Sequence, residues 1–361
     1  MKKKHRMVLI LLVRFLAVLL PVGFLCYKVN TLRVEAIPKG KVKTVTDMSG
    51  HHVVVPNEAH HVAALEVLGY EKMFLLGVSD RLALMYATNP PWMQRTNPKV
   101  NAIPKFMSEP EAEEMMNMNI DLALFRYDPQ KTRDKLNSIG IPGVVSQPSG
   151  YIIPDAKTFQ DVTRRTMLMY GELLGADAKK RAEEWCSYYD ERIRFVTSRV
   201  ADIPENRRPH VYYLRGPSAL ITQGRNSNTL WYGEMAGGNM ISKSRPFVGQ
   251  GPVSMEDILE WDPEYVFVGR QYSPNLVLKD KRWKDVRAVK EGKVYQDPEG
   301  VFFWDGSSEG VLLMEFIAKK IHPERFQDLD MRKEIQNYYA KFYRYKLSDE
   351  EVSRILEAKA P

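Results

Sequence analysis

The sequence predicts an α/β protein of two lobes joined by a long helix, and three observations carry that expectation. Short apolar runs bounded by Gly or Pro alternate with helix-like stretches in both halves of the chain, which is how parallel βα units read. Between the two series, apolar residues recur at helical spacing from Asp155 to about Val200. A length of 361 residues suits two domains of moderate size.

In chain order, residues 1–36 come first. A basic cluster (Met1 to Arg6) precedes an apolar stretch from Met7 to Tyr27, interrupted by Arg14 and Pro21. A positive start before an apolar core directs export. The stretch nearly reaches the roughly 20 residues of a membrane span, so it reads as an N-terminal anchor. It reads equally as a signal peptide cut after Ala36, where Val34 and Ala36 are small. Leu25 before Cys26 does not suit lipoprotein processing. In either case the body faces outward, beyond the cytoplasmic membrane.

Residues 41–154 form the first lobe. Val42 to Asp47 and His51 to Pro56 flank Met48-Ser49-Gly50 and read as a β-hairpin. Val62–Leu65, Met73–Val78, Leu122–Phe125 and Gly143–Val145 are its strand candidates, with a helical stretch from Glu109 to Asn119. Residues 155–203 are the connecting helix, with a possible break at Gly175. Residues 204–361 make the second lobe. Its strand candidates are Val211–Leu214, Ala219–Thr222, Tyr265–Val268 and Lys293–Gln296; the closing helices run Val311–Ile321 and Met331–Tyr345.

Charge and motifs narrow the function. The net charge is +7, but residues 1–36 hold +6 of it, so the body is nearly neutral and nucleic acid loses its support as a partner. Two cysteines, Cys26 and Cys186, cannot frame a disulfide scaffold or a Cys metal site. His51-His52 and His60-His61 suggest metal. Adjacent side chains on a strand point to opposite faces, however, so no metal site is assigned. No phosphate loop, dinucleotide fingerprint or nucleophile elbow occurs, and Ser307-Ser308 reads as a helix cap. The chain is therefore not expected to be an enzyme.

Several strings resemble the periplasmic binding proteins that serve siderophore, haem and cobalamin importers. They are Val45 to Gly50 with Val53 to Pro56, then Leu68-Gly69 with Leu76 to Ser79, then Glu113 to Leu122. In the second half they are Val253 to Glu264, Trp283 to Lys290 with Gly292 to Tyr295, and Leu312 to Glu324. The similarity runs from about Lys41 to the end. It implies two Rossmann-like lobes on one rigid helix, the class III solute-binding architecture, and a monomer that delivers a small ligand to ABC importer permease subunits. The chain departs from the family between His61 and Val78, where the Ser/Pro-rich loop after the first strand is missing.

Candidate ligand-binding residues follow. Arg126 with Tyr127 and Arg270 with Tyr272 end strands, where guanidinium forks suit anionic oxygens. Arg215 ends a strand at a position that resembles a ligand-touching one in the family. Met85 and Tyr86, in the loop after Asp80-Arg81, resemble a contacting segment. Trp304 lies where the family lines its cleft, Met107 could form the opposite wall, and Trp231 could stack on a flat chelate or pack on the sheet. The resemblance implies that Glu113 and Glu256 meet arginines on the permease. The expected ligand is a ferric siderophore-like iron chelate and no resident cofactor is expected. A haem, corrinoid or nickel-chelate carrier is the alternative, and an anchored enzyme or sensor ranks below it.

Overall fold

The computed structural model describes residues 40–108, 110–147 and 152–361. The leader or anchor expected at 1–36 lies outside them. Among the described residues no helix is long and apolar enough to cross a membrane.

The hairpin forms as expected, with β1 (Val42–Thr46) antiparallel to β2 (His52–Pro56). The first lobe is a parallel sheet of β3 (Val62–Ala64), β4 (Leu82–Tyr86), β5 (Lys105–Phe106), β6 (Leu122–Phe125) and β7 (Gly143–Val145), in the order β5-β4-β3-β6-β7. The chain leaves β3 to one side and later returns to its other side, so the topology switches between β3 and β6. Met73–Val78 is not a strand. Residues Gly69–Leu75 form a helix that stops at Gly77, whose φ of +83° a side chain would resist. The strand follows instead at β4, which also takes Met85 and Tyr86 out of the expected loop.

The second lobe holds β8 (His210–Leu214), β9 (Ile221–Gln223), β10 (Asn239–Met240), β11 (Gln250–Pro252), β12 (Tyr265–Val268) and β13 (Val294–Gln296). Its order is β11-β9-β8-β12-β13, with β10 also on β8. β8, β12 and β13 run parallel, while β9 and β11 are antiparallel additions at one edge.

The connecting segment breaks into two helices, Ala156–Leu173 and Ala176–Val200, which fold back on one another. Gly175 makes the turn at φ +102°. Asp155 caps the first helix by accepting from the Thr158 N–H. The two helices lie so close that a Cβ on Gly171 would stand 2.7 Å from the Ala182 Cβ. The first helix runs from the second lobe, where Phe159 meets Tyr232 edge-on, to the first, where the Tyr170 hydroxyl donates to Glu66. The second helix runs back.

Strand alternation divides the side chains between cores. Val62, Leu124 and Tyr213 face one continuous core that includes Trp185, Leu313 and Tyr339, whereas Ala63 and Tyr212 face smaller outer cores of their own lobes. The lobes thus share a single apolar junction. The chain end crosses it as well. After the Met331–Tyr338 helix and a π-helical turn at Tyr339–Tyr343, Tyr343 donates to the buried Glu71, and Arg344 to the Phe74 and Leu75 carbonyls. Arg95 then pairs with Glu351, and the Trp92 indole donates to the Lys359 carbonyl.

Candidate functional site

In an open parallel sheet, ligands bind outside the carboxyl ends of the strands, at the topological switch point. Here that point lies between β3, which runs out into Leu65 to Leu68, and β6, which runs out into Arg126 and Tyr127. Across the gap, β8 and β12 of the second lobe end at Arg215 and Arg270. The two sets face each other over a cleft of about 240 Å³, lined by Arg126, Tyr127, Arg215, Arg270 and Asp305 among others.

The guanidinium groups are held in place. The Asp305 side chain is fully buried and receives Arg215 Nε at 2.6 Å, Arg270 Nε at 2.8 Å and Arg270 Nη2 at 2.6 Å. Burial opposes the charge on Arg215, and the facing Asp305 carboxylate more than offsets it, leaving the pKa above the ordinary value. Arg270 also lies over the Phe303 ring at 5.0 Å. Across the cleft, Arg126 donates to the Gln147 side-chain oxygen at 2.9 Å and lies 5.1 Å from the Tyr127 ring centre. Behind Arg215, Tyr213 donates to the fully buried Asp297, whose carboxyl burial pushes well above the usual range. Gly269 allows this, since a Cβ there would stand 2.8 Å from the Tyr213 hydroxyl.

A second chamber of about 100 Å³ opens inward from the first and shares Leu68, Arg126, Gln147, Asn228 and Gly306 with it. Glu66, Lys72, Ser146 and Ser308 lie in its wall. Ser308 donates to Glu71 and Ser307 Oγ accepts from the Glu309 N–H, while the Gly310–Ile321 helix that follows has no side-chain cap at its N-cap residue Glu309.

The other expected site residues lie elsewhere. Met85 is 1% exposed on β4 and belongs to the core; Trp304 is likewise 1% exposed and packs in the core. Met85 points inward on its strand while Tyr86 takes the outward face; Trp304 opens a short 3-10 turn, Trp304–Gly306, in which Asp305 is buried as well. Tyr86 is exposed and meets Phe106 edge-on, and Met107 is 85% exposed. Neither lines the cleft, since β4 and β5 lie on the flank away from the switch point. Trp231 packs half-buried against the core while its helix neighbours Asn228 and Tyr232 face the chambers. Tyr272 packs on the second lobe's core, close enough to act on the Arg215 charge. Glu113 and Glu256 are exposed, each in the first turn of a helix, Ala112–Asn117 and Met255–Trp261. Sequence reasoning missed Glu66, Lys72, Gln147, Asn228 and Asp305. Only Asp305 adjoined a residue already expected in the cleft, Trp304.

His51 bonds Asp47 and lies 3.5 Å from Asp128, while the His60 and His61 N–H groups donate to Asp121. Among the described residues no three His, Cys, Asp or Glu side chains converge as metal ligands.

A family model described as periplasmic binding protein matches residues 62–300. The molybdate-binding protein MolA of Haemophilus influenzae is 24% identical over 338 residues, spanning 86% of this chain and 94% of that protein. Its molybdate-bound structure superposes with a TM-score of 0.73 at 21% identity, over 85% of this chain and 99% of the other. The iron(3+)-hydroxamate-binding protein FhuD of Bacillus subtilis is 22% identical, over 62% of this chain and 70% of its own. A periplasmic solute binding protein of Veillonella parvula superposes with a TM-score of 0.75 at 24% identity, covering 88% and 97%.

Proposed function

We propose, for a chain that belongs to the periplasmic binding protein family and is the substrate-binding component of an ABC transporter, that the cleft takes a compact anionic metal species. The family consists of transport proteins rather than enzymes. The observation that carries the reading is the convergence of Arg126, Arg215 and Arg270 from two lobes on one cleft. Fixed guanidinium forks at strand ends suit oxygen anions. Size supports a compact ligand, because chambers of about 240 and 100 Å³ fall at or below the roughly 300–1,000 Å³ of drug-sized sites. A metal oxyanion fits this description, as does a small ferric chelate. A larger siderophore-like iron chelate is the second reading, favoured by the exposed Tyr127 at the cleft mouth; a haem, corrinoid or nickel chelate would need more aromatic surface than the cleft offers.

Titration calorimetry with molybdate, tungstate, ferric citrate and a ferric hydroxamate separates the two. Saturable binding of one class, weakened about tenfold or more by Arg215→Ala, is the expected result. Binding that ignores Arg215→Ala would remove the reading.

Glu113 and Glu256 offer one exposed carboxylate per lobe for docking on basic permease surfaces, where complementary charge sets encounter and register. Reversing both to Lys should cut uptake in cells while ligand affinity in solution is retained. The body works as a monomer on the outer side of the cytoplasmic membrane, with residues 1–36 as its leader or anchor.

A further inference from the structure

Lys72 is 9% exposed and lines the inner chamber. Its side chain is largely buried and its amine opens onto the chamber, where an ammonium with little water around it is costly unless something pairs with it. Among the described residues its amine forms no hydrogen bond or ion pair; it lies 5.6 Å from the Tyr170 ring centre. Glu71, next in the chain, feels its charge but spends its oxygens on Ser308 and Tyr343. Glu66, in the same wall, is bonded by Tyr170. Neither carboxylate is an ion-pair partner of Lys72.

Position explains where the amine points. Lys72 sits in the Gly69–Leu75 helix, whose N-terminus follows the short passage out of β3. Helical side chains lean toward the N-terminus of their helix, so this one leans toward the switch point. Only Leu65 to Leu68 separate β3 from this helix.

We infer that Lys72 is the innermost ligand group of the site and that the inner chamber seats a compact tetrahedral oxyanion, with Arg126 and the second-lobe arginines on its outer side. This rests on the anion-binding reading above and names the ligand's place and class within it. A water site needs about 10–15 Å³ of such volume. A chamber of about 100 Å³ therefore holds several waters, or the five atoms of an oxyanion that displaces them.

The test measures molybdate, tungstate, sulfate and phosphate affinity by calorimetry for the wild-type protein, Lys72→Met and Lys72→Gln. Ferric citrate and a ferric hydroxamate serve as a second arm, and the thermal midpoint of each variant is recorded. The expected result is oxyanion binding by the wild type that falls about tenfold or more in both variants, with a midpoint that shows both remain folded. Undiminished oxyanion binding in either folded variant overturns the inference. So does binding of the ferric chelates alone, untouched by the variants, though that outcome keeps the broader function. Binding of neither class sinks both.

Discussion

Asp305 places a carboxylate inside a cleft that is otherwise built for anions, and simple charge counting would have its removal help binding. The geometry argues the reverse. Its two oxygens hold Arg215 and Arg270 at fixed angles, and those arginines would otherwise lose side-chain freedom only when ligand arrives. Asp305→Asn keeps the shape but offers one acceptor oxygen and an amide donor that faces guanidinium donors. Calorimetry should show affinity about tenfold weaker; a tighter complex would mean that charge, not placement, is what Asp305 contributes. At this scale the sequence was only partly legible. Strand-end arginines could be found because an Arg directly after an apolar run has few other places to go. Met85 could not be sorted from Tyr86, because neighbours on one strand differ only in which face they take, and Trp304 could not be sorted from Asp305, because both are buried in one short 3-10 turn. Lys72 gave no signal at all, since a single Lys in a short helix normally sits in solvent.

Among the elements, the helical hairpin between the lobes is the one that sequence described least fully. Helical spacing was plain from Phe159 to Val196, but direction was not, because periodicity is the same whether a helix continues or turns back at Gly175. The reversal shows in contacts between the two helices such as Arg164 with Asp190, 3.4 Å apart. At Gly171 the two helices approach closely, the glycine facing Ala182 and the Lys179 backbone. Gly171→Ala normally favours a helix by about 1 kcal/mol. Here it should destabilise instead, by about 1–3 kcal/mol, as the added methyl forces the helices apart. A urea midpoint at or above that of the wild type would contradict the packing described. Sheets were more legible than helices: β6, β7 and β12 match their apolar runs residue for residue. Met73–Val78 misled because an apolar run of that length reads alike as a buried strand or a buried helix end.

For the whole molecule, the shared core carries titratable groups that sequence could not have revealed. Glu309 is fully buried at the junction, with N–H groups of Val301 and Phe302 and the Tyr339 hydroxyl donating to it; burial pushes its carboxyl up from 4.5 to about 8. Burial raises Glu71 as well. A carboxyl whose folded pKa lies above its unfolded one holds an extra proton in the folded state. Its stabilising contribution is complete below about pH 4.5 and is lost as pH climbs through about 8. The thermal midpoint should therefore fall between about pH 4.5 and pH 8, by about 2–4 °C for each kcal/mol lost. A profile flat across that window would show these carboxyls already ionised in the folded protein. The chain end has a different consequence, which concerns time. Trp92, Arg95 and Glu71 of the first lobe find partners only at Lys359, Glu351 and Tyr343. A polypeptide that emerges with its N-terminus leading therefore cannot complete its first lobe until nearly every residue has appeared. The contacts that lock the first lobe are therefore the last to form, and residues 343–359 act as the latch that closes it.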